Sequence, residues 1–396
     1  MTRLASRFND FPPYPLVEVP RIKRELRAKG VDVIDLGAGD ADLAAPPAVI
    51  EALAAAAADP AMSRYPFQLG LPELREEIAR WMQSRFGVAL DPYAELLPLI
   101  GSKEGIGHLA LAYVESGDAT IVPDPGYAPY LGGTLLAGGE PVMVPIRPEN
   151  DFLIDLDAMP RAVARRTRIV YLNYPNNPTA AIAPLDYMKR AVDWCREHDA
   201  TLAWDNAYSE LAFEEYTPPS ILEIDGARDV AVEFHSFSKT YNMTGWRLGW
   251  AAGGSDAIAA LSRVKSFVDT GVFLAVQAAG VAALRSHATW VPGNVRVFHE
   301  RRDALVGALH AQGFEVESPK ATMYVWMPVP AGEPSADFAR RALVEQGIVV
   351  MPGSALGAGG EGFVRIALTQ SAERLELAAV RLGEVAVRVA RAGEPR

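Results

Sequence analysis

The sequence predicts an α/β fold with a mainly parallel seven-stranded sheet in a large domain and a smaller α+β domain. The chain has 396 residues, more than a single domain usually contains. Through its first three quarters, short apolar runs rich in β-branched residues alternate with amphipathic helical segments. Strands separated by helices are typical of a mainly parallel sheet that is covered on both faces. Towards the C-terminus this alternation gives way to short strands grouped between two helices, which indicates a second domain.

The large domain is predicted from seven strand candidates and from the helices between them. The strand candidates are Leu96–Ile100, Ala119–Val122, Pro141–Ile146, Arg168–Leu172, Thr201–Trp204, Val230–Phe234 and Leu248–Ala252. The helix candidates are Pro72–Phe86, Lys103–Glu115, Leu185–Glu197 and Asp256–Leu284. In the first of these helices, Leu74, Ile78 and Trp81 recur at helical spacing, so that helix is expected to bury one face.

The smaller domain is predicted from the pattern that follows the last of these helices. Arg296–Gln312 has helical periodicity, and a closing helix is predicted after Ser371. The short strand candidates between them are Phe314–Ser318, Tyr324–Pro328, Ile348–Met351 and Phe363–Ala367. We therefore assign residues 46–289 to the large domain, and residues 1–45 with 290–396 to the small one.

Composition and charge exclude several classes of protein. The net charge of −11 means that the average surface repels nucleic acid and anionic membranes, so neither is expected as a partner. A single cysteine, Cys195, rules out an internal disulfide and is expected to be a buried thiol on an apolar helical stripe. The six histidines lack the spacing of metal ligands, so no metal site is expected. Neither a signal-peptide pattern nor a membrane-spanning apolar run is present, so a cytoplasmic location is expected.

Polar segments follow three successive strands of the predicted sheet. They are Asn173–Thr179, Asp205–Tyr208 and His235–Thr240. Because ligands of a parallel sheet bind at the carboxyl ends of its strands, we expect these segments to face one ligand. Each segment alone has an ordinary explanation, such as a turn with a helix cap or a solvated lysine. Three of them in order at successive strand ends favour a shared site.

The side chains in and near these segments match the requirements of pyridoxal 5′-phosphate (PLP). This cofactor needs an amine to attach its aldehyde, an acid to keep its pyridine nitrogen protonated, donors for O3′ and a cradle for its phosphate. The sequence offers, in that order, Lys239, Asp205, Tyr208 with Asn177, and Ser236 with Arg247. Because the whole set is matched, the sequence predicts a PLP site.

Five stretches extend this match over essentially the whole chain. They are Leu36–Asp40, Ile100–Gly105, Val122–Tyr127, Asn173–Thr179 and His235–Trp250. In these stretches the sequence resembles the class I/II aminotransferases, which have the PLP-dependent transferase fold type I. Within that family it is most similar to the LL-diaminopimelate aminotransferases. The resemblance implies a homodimer whose two active sites are shared between the subunits.

The resemblance also implies a role for individual residues around the cofactor. Lys239 forms the Schiff base with PLP and later moves a proton at the substrate α-carbon. Asp205 pairs with the pyridinium nitrogen, Tyr208 and Asn177 contact O3′, and Tyr127 stacks on the ring. The residues implied around the phosphate are Ser102, Lys103, Ser236, Arg247 and, from the neighbouring subunit, Tyr65.

For the substrate, the resemblance implies that Arg365 binds the α-carboxylate as a bidentate fork, beside Gly39 and Asn177. Tyr14 closes over the substrate, and Gln68 lies in the loop that faces its distal end. The implied reaction is a ping-pong transamination, in which an amino acid leaves its amine on the cofactor and a 2-oxo acid collects it. LL-diaminopimelate with 2-oxoglutarate is the leading substrate pair.

Departures from the family pattern leave alternatives open. Gln68 is neutral, whereas enzymes specific for LL-diaminopimelate tend to place an acidic side chain there for the distal ammonium. Aspartate, alanine or N-succinyl-diaminopimelate is therefore an alternative substrate, and a PLP-dependent carbon–sulfur β-lyase or a PLP-binding protein without catalysis is an alternative class. Ala180 replaces the glycine usual after Asn-Pro-Thr. Alanine fits at this position if its φ is negative, so we expect a small local adjustment. Asn206 is expected to form a local hydrogen bond rather than to contact the cofactor.

Overall fold

The computed structural model describes residues 3–11, 18–67 and 69–392. The strands, in chain order, are β1 (Ile34–Asp35), β2 (Leu96–Leu99), β3 (Ala119–Asp124), β4 (Glu140–Pro145), β5 (Thr167–Asn173), β6 (Thr201–Asp205), β7 (Ala231–Ser236), β8 (Gly249–Gly253), β9 (Tyr324–Pro328), β10 (Ile348–Val349), β11 (Met351–Pro352) and β12 (Phe363–Ala367). Seven of them form the central sheet in the order β2-β8-β7-β6-β5-β3-β4. In this sheet β8 runs antiparallel to both of its neighbours, β2 and β7, and the other pairs are parallel, so the predicted mainly parallel α/β fold is confirmed.

The helices cover the sheets and build the second core. In chain order they are α1 (Val19–Ala28), α2 (Pro47–Ala57), α3 (Pro72–Phe86), α4 (Ser102–Tyr113), α5 (Ala128–Ala137), α6 (Arg161–Ala164), α7 (Leu185–Glu197), α8 (Phe237–Thr240), α9 (Ser255–Val268), α10 (Leu274–Arg285), α11 (His287–Ala311), α12 (Ser335–Gln346) and α13 (Ala372–Ala392). The predicted bounds of α3 and α7 are reproduced. Among the described residues, no helix combines the length and the hydropathy that a membrane span requires.

Three predicted elements are wrong. The strand Ile348–Met351 is divided into β10, which pairs with β1, and β11, which pairs with β12. The single helix Asp256–Leu284 is divided into α9 and α10, because Gly271 has a φ of +100° and its amide donates to the Asp269 carboxylate at 2.6 Å. The strand Phe314–Ser318 does not form. Its first amide instead bonds to the carbonyl of Leu309 in α11, and the Val316 carbonyl accepts a hydrogen bond from His310.

Buried apolar side chains form separate cores around the central sheet and around the C-terminal elements. The second core contains Ile34 and Leu36 from the N-terminal part together with side chains of α11, α13, β9 and β12. Helix α11 extends across residue 290. Its Val291 lies in the first core, which surrounds the central sheet, and its Phe298 lies in the second. The division at residues 46 and 290 stays a prediction. Cys195 is fully buried in the first core, as expected.

Candidate active site

Three neighbouring strands end side by side at one edge of the central sheet. β5, β6 and β7 run parallel, and Asn173 pairs with Asp205, which pairs with Phe234. Ser236 is the last residue of β7. The polar segments that the sequence places after these strands therefore start next to one another.

Lys239 lies just beyond β7, on the short helix α8. Ser236 caps this helix by accepting a hydrogen bond from a backbone amide at 3.1 Å. The Lys239 ammonium donates to the carbonyl of Gly39. Burial lowers the pKa of Lys239, and the positive charges of Arg365 and Arg247 act in the same direction. The neutral amine is therefore available closer to neutral pH than in an exposed lysine.

Asp205 is buried at the end of β6, with 5% of its surface exposed. Tyr130 donates its hydroxyl to Oδ2 of Asp205 at 2.8 Å, whereas Oδ1 has no partner among the described residues. Burial raises the pKa of Asp205 to about 6, against the opposing effect of the Tyr130 hydrogen bond. A buried carboxylate oxygen without a donor fits the protonated pyridine nitrogen of PLP.

The turn between β2 and α4 packs against Arg247. Gly101 has a φ of +72°, and a Cβ at this position would lie 2.3 Å from Nη2 of Arg247. Glycine is therefore required here both for the backbone conformation and for the approach of the guanidinium. Helix α4 begins at the next residue, so a cation lies beside the positive end of a helix, an arrangement that favours a phosphate dianion.

Ser102 and Ser236 lie in the same region as the turn between β2 and α4. Ser236 pairs with Gly249 on β8, and a Cβ at Gly249 would lie 2.8 Å from the amide nitrogen of Ser102. Ser102 and Ser236 are each 9% exposed. Lys103, the next residue of α4, has an exposed side chain. The predicted phosphate residues thus lie in one region, with Lys103 at its surface.

Tyr208 and Tyr127 are enclosed phenols near Asp205. Burial raises the pKa of Tyr208 well above the ordinary tyrosine value. Burial, followed by the negative charge of Asp205, also raises the pKa of Tyr127. Both hydroxyls therefore stay protonated at neutral pH and remain hydrogen-bond donors.

Arg365 reaches from β12 to the loop that follows β5. Its Nη1 donates to Oδ1 of Asn177 at 2.8 Å, and its Nη2 donates to the carbonyl of Gly37 at 2.8 Å. Its Nε is buried without a partner among the described residues. The guanidinium also lies over the ring of Tyr324, 4.2 Å from its centroid. Arg365 is thus rigidly held, with an N–H group left for an anionic ligand.

Tyr324 is a site residue that the sequence patterns did not indicate. Its hydroxyl accepts a hydrogen bond from Tyr208 at 3.3 Å, and a Cβ at Gly39 would lie 2.0 Å from the same oxygen. Burial would raise the pKa of Tyr324, but the charges of Arg365 and Lys239 outweigh it and lower that pKa. In the sequence it is only the first residue of a strand, so no local signal marks it.

Tyr130 was also missed, although a signal was present. It lies in the first turn of α5, three residues after Tyr127. Residues at that spacing share a helix face, so a helix beginning at this point places Tyr130 beside its predicted neighbour. The two rings meet edge to face at 5.7 Å.

Two expectations about the loops have opposite outcomes. The negative φ on which the fit of Ala180 depends is not found, because its φ is +61° and its amide closes the turn by donating to the Asn176 carbonyl. This left-handed conformation is the one that glycine adopts without a steric penalty. Asn206 forms the expected local hydrogen bond, donating to the buried carboxylate of Glu233 at 2.6 Å.

Three predicted residues lie away from this cluster or outside the described residues. Tyr65 is 69% exposed, and its ring contacts Phe67 on the same loop. Tyr14 and Gln68 lie outside the described residues, so their roles stay predictions.

Comparison with known proteins identifies the family of this chain. The model of the family "Aminotransferase class I and II" matches residues 31–382. The chain belongs to the class I and II aminotransferases. An LL-diaminopimelate aminotransferase of Desulforudis audaxviator is 48% identical over 378 residues, covering 96% of each chain. That of Moorella thermoacetica is 48% identical over 381 residues, covering 96% of this chain and 98% of the relative.

Solved structures agree with this aminotransferase assignment. A "probable N-succinyldiaminopimelate aminotransferase" from Thermus thermophilus superposes with a TM-score of 0.89 at 41% identity, covering 94% of this chain and 100% of the other. A single mutant of the Thermus thermophilus aspartate aminotransferase gives 0.90 at 31% identity, covering 97% and 100%. The predicted PLP fold type I is thereby confirmed. The protein is a PLP-dependent transaminase, whose substrates are an amino acid and a 2-oxo acid.

Proposed function

We propose that this aminotransferase moves the amino group of LL-diaminopimelate to 2-oxoglutarate, a step of lysine biosynthesis in the cytoplasm. The observation that carries the proposal is that LL-diaminopimelate aminotransferases match nearly the whole chain at 46–48% identity. The held guanidinium of Arg365 supports it, because its unpartnered Nε is suited to an amino-acid carboxylate.

In this proposal three residues have separate roles in the reaction at the substrate α-carbon. Lys239 holds PLP and then carries a proton to and from that carbon, which its lowered pKa favours. Asp205 keeps a proton at the pyridine nitrogen, and Arg365 fixes the substrate carboxylate. When bound, PLP supplies an electron-withdrawing ring that stabilises negative charge at the α-carbon.

The remaining residues hold the cofactor and the rest of the substrate. Tyr208 and Asn177 bind O3′, Tyr127 covers the ring and Gly39 leaves room for the substrate carboxylate. The proposed phosphate contacts are Ser102, Lys103, Ser236 and Arg247. Tyr14 and Gln68 stay predicted contacts of the substrate.

A half-reaction screen tests the substrate assignment. The enzyme is mixed with one amino donor at a time, without an oxo acid, and the loss of the absorbance of enzyme-bound PLP is followed. We expect the second-order rate constant for LL-diaminopimelate to exceed those for aspartate, alanine and N-succinyl-LL-diaminopimelate by at least about tenfold. A faster reaction with the N-succinyl donor would transfer the assignment to that substrate, in line with the 41% identical Thermus protein.

The same preparation separates transamination from a carbon–sulfur β-lyase. Incubation with cystathionine or cysteine, without an oxo acid, should leave pyruvate at background level. Sustained release of pyruvate and thiol would favour the lyase.

We also propose a homodimer in which Tyr65 of each subunit completes the phosphate site of the other. Large apolar side chains are exposed on the loop around Tyr65 and near the C-terminal end of α9. Phe67 is 69% exposed, Phe267 is 87% exposed and Phe273 is 49% exposed. Exposed apolar surface of this kind is typical of a protein interface.

A buried glutamine joins these two exposed segments. Gln277, which is fully buried, accepts a hydrogen bond from the Leu71 amide and donates one to the Val272 carbonyl, each at 2.7 Å. The loop around Tyr65 and the α9–α10 connection are therefore fixed against each other, and both are available to one partner surface.

Light scattering coupled to gel filtration tests this dimer. We expect twice the chain mass of 42.7 kDa for the wild type and a shift towards one chain for Phe267→Asp. Leu136→Asp, at an exposed position of α5, is the matched control and should stay dimeric. A monomeric wild type would contradict the shared site.

A further inference from the structure

Lys265 is a fully buried lysine that the proposed mechanism does not use. It lies on α9, and its ammonium is 2.9 Å from Oε2 of Glu104 and 2.7 Å from Oδ1 of Asp269. Lysine is almost never fully buried unless it is paired. The two carboxylates thus explain how this cation is held, but not why it is placed beside α4.

Its partner Glu104 lies in the first turn of α4. The Oε2 of Glu104 accepts the amide hydrogen of Ile100 at 2.9 Å, and its Oε1 accepts from His108 at 2.8 Å. The carboxylate is thereby folded back onto the turn that contains Gly101, where the phosphate of PLP is proposed to bind.

This position creates an electrostatic conflict. A carboxylate in the first turn of a helix uses the same positive helix end that a phosphate dianion would use. Like charges also repel strongly where water is largely excluded, and the Glu104 side chain is only 12% exposed. A negative Glu104 without a neighbouring cation would therefore weaken phosphate binding at this turn.

We propose that Lys265 is a positioning residue of the phosphate site, which compensates the charge of Glu104 so that α4 can hold the PLP phosphate. This inference rests on the proposed placement of the phosphate at the Gly101–Lys103 turn. Glu104 in turn ties the turn to α9 through Lys265, while its charge is kept from the phosphate.

A metal ion is the other cation that such a cluster suggests. Glu104, His108 and Asp269 bring ligand atoms within 4.8 Å of one another. The ammonium of Lys265 already contacts two of these three residues, at distances of a strong ion pair. We therefore assign the compensating charge to the lysine.

The test compares Lys265→Met, Glu104→Gln and the double variant with the wild-type holoenzyme. Equilibrium dialysis gives the PLP dissociation constant, and ³¹P NMR of bound PLP across a pH series reports the ionisation of the phosphate. Lys189→Met is the matched control, because Lys189 forms an exposed pair with Asp193 on α7.

Lys265→Met should weaken PLP binding by about tenfold, the effect of one uncompensated neighbouring charge, and should move the ³¹P titration of the phosphate to higher pH. Adding Glu104→Gln should restore both quantities to within about twofold of the wild type, because Glu104, unlike Asp269, is the partner of Lys265 that bonds to the phosphate turn. Unchanged PLP binding in Lys265→Met, or a double variant as weak as Lys265→Met, would overturn the proposal.

Glu104→Gln alone decides the question if Lys265→Met does not fold. With Lys265 still present, this variant should bind PLP more tightly than the wild type, whereas unchanged or weaker binding contradicts the proposal. Failure of the proposed function is a different result, since it appears as a wild-type enzyme that does not react with LL-diaminopimelate.

Discussion

Asp205 and Glu104 are two carboxylates at different ends of the proposed cofactor site, and their surroundings have opposite effects on their pKa values. Asp205 is buried, and the Glu104 side chain is 12% exposed. Burial raises the pKa of Asp205 to about 6, and Tyr130 offers only a neutral hydroxyl against it. Burial would also raise the pKa of Glu104, but the hydrogen bond from His108 and the charge of Lys265 outweigh it and lower that pKa.

This difference gives the two carboxylates different roles. Asp205 is placed to interact with the ligand, whereas Glu104 stabilises the fold. Oδ1 of Asp205 has no hydrogen-bond partner among the described residues, so Asp205 gains most when a protonated pyridine nitrogen arrives. Glu104 already has a cation, so its charge does not attract or repel a ligand to the same extent. Burial alone does not distinguish the two residues; their partners do.

The largest effect is expected when the charge of Asp205, at the pyridine end of the proposed site, is removed. Asp205→Asn keeps the shape of the side chain but removes its charge, so the half-reaction with LL-diaminopimelate should slow by about a thousandfold. Rapid-mixing absorbance measures this rate, with the exposed Asp186→Asn as the control. A loss below about tenfold would show that the charge of Asp205 is not needed.

The same carboxylate-to-amide change should have opposite effects on stability at the two ends when PLP has been removed. The folded pKa of Asp205 lies above its ordinary value of 3.8, so its charged form is penalised above about pH 6. Asp205→Asn should therefore stabilise the apoprotein at pH 8 by about 2 kcal/mol, and the gain should fade as the pH falls through about 6 towards 4.

The folded pKa of Glu104 is lowered instead, so its contribution to stability is present above its ordinary value of 4.5 and is lost in acid. Glu104→Gln should therefore destabilise the apoprotein at pH 7 by about 1–3 kcal/mol, and less as the pH falls below 4.5. Denaturant unfolding across pH measures both variants. Changes of equal sign would contradict the comparison.

Tyr130→Phe should change the rate of the half-reaction less than Asp205→Asn does. Without the hydroxyl, the pKa of Asp205 rises further, so the acidic limb of the half-reaction rate should move to higher pH. We expect about a twofold loss at pH 7, the effect of one lost hydrogen bond, which decreases as the pH is raised. Tyr171→Phe is the control, because its ring stacks on Tyr130 but its hydroxyl points to the Ile106 carbonyl. An unshifted pH profile would remove Tyr130 from the site.

The smallest effect is expected on the free energy of unfolding, from a backbone position with a positive φ. A glycine supplies the positive φ of the phosphate turn, at Gly101, whereas an alanine supplies it in the loop after β5, at Ala180. Ala180→Gly should therefore raise the free energy of unfolding by about 1 kcal/mol, measured by urea denaturation. Ala181→Gly, at a position without a positive φ, should give no gain. A destabilised Ala180→Gly would mean that the alanine costs no strain.

Much of the fold followed from patterns that extend over only a few residues. The seven strands of the central sheet were predicted because each is a short apolar run between turns or helices. The wrong elements depended on other contacts. The Asp269 side chain that ends α9 and the α11 carbonyl that binds Phe314 are not visible in hydrophobic periodicity.

The candidate site shows the same limit. Lys239, Asp205 and Asn177 follow strands directly, so the sheet topology brings them together once the strand order is known. Tyr324 reaches the site from a different sheet, and Lys265 reaches α4 from the side, each through contacts between residues far apart in the chain. Such contacts have no local sequence signal.

The sequence by itself determined the strands, the chemistry at their ends and the family, because these depend on hydrophobic spacing and on residues that lie close along the chain. Only the tertiary structure decided that Glu104 lies beside the Lys265 ammonium, whereas Asp205 accepts a hydrogen bond from the neutral Tyr130 hydroxyl. The physical reason is that the pKa of a buried group depends on burial and on charges within a few ångströms, and these neighbours come from distant parts of the chain.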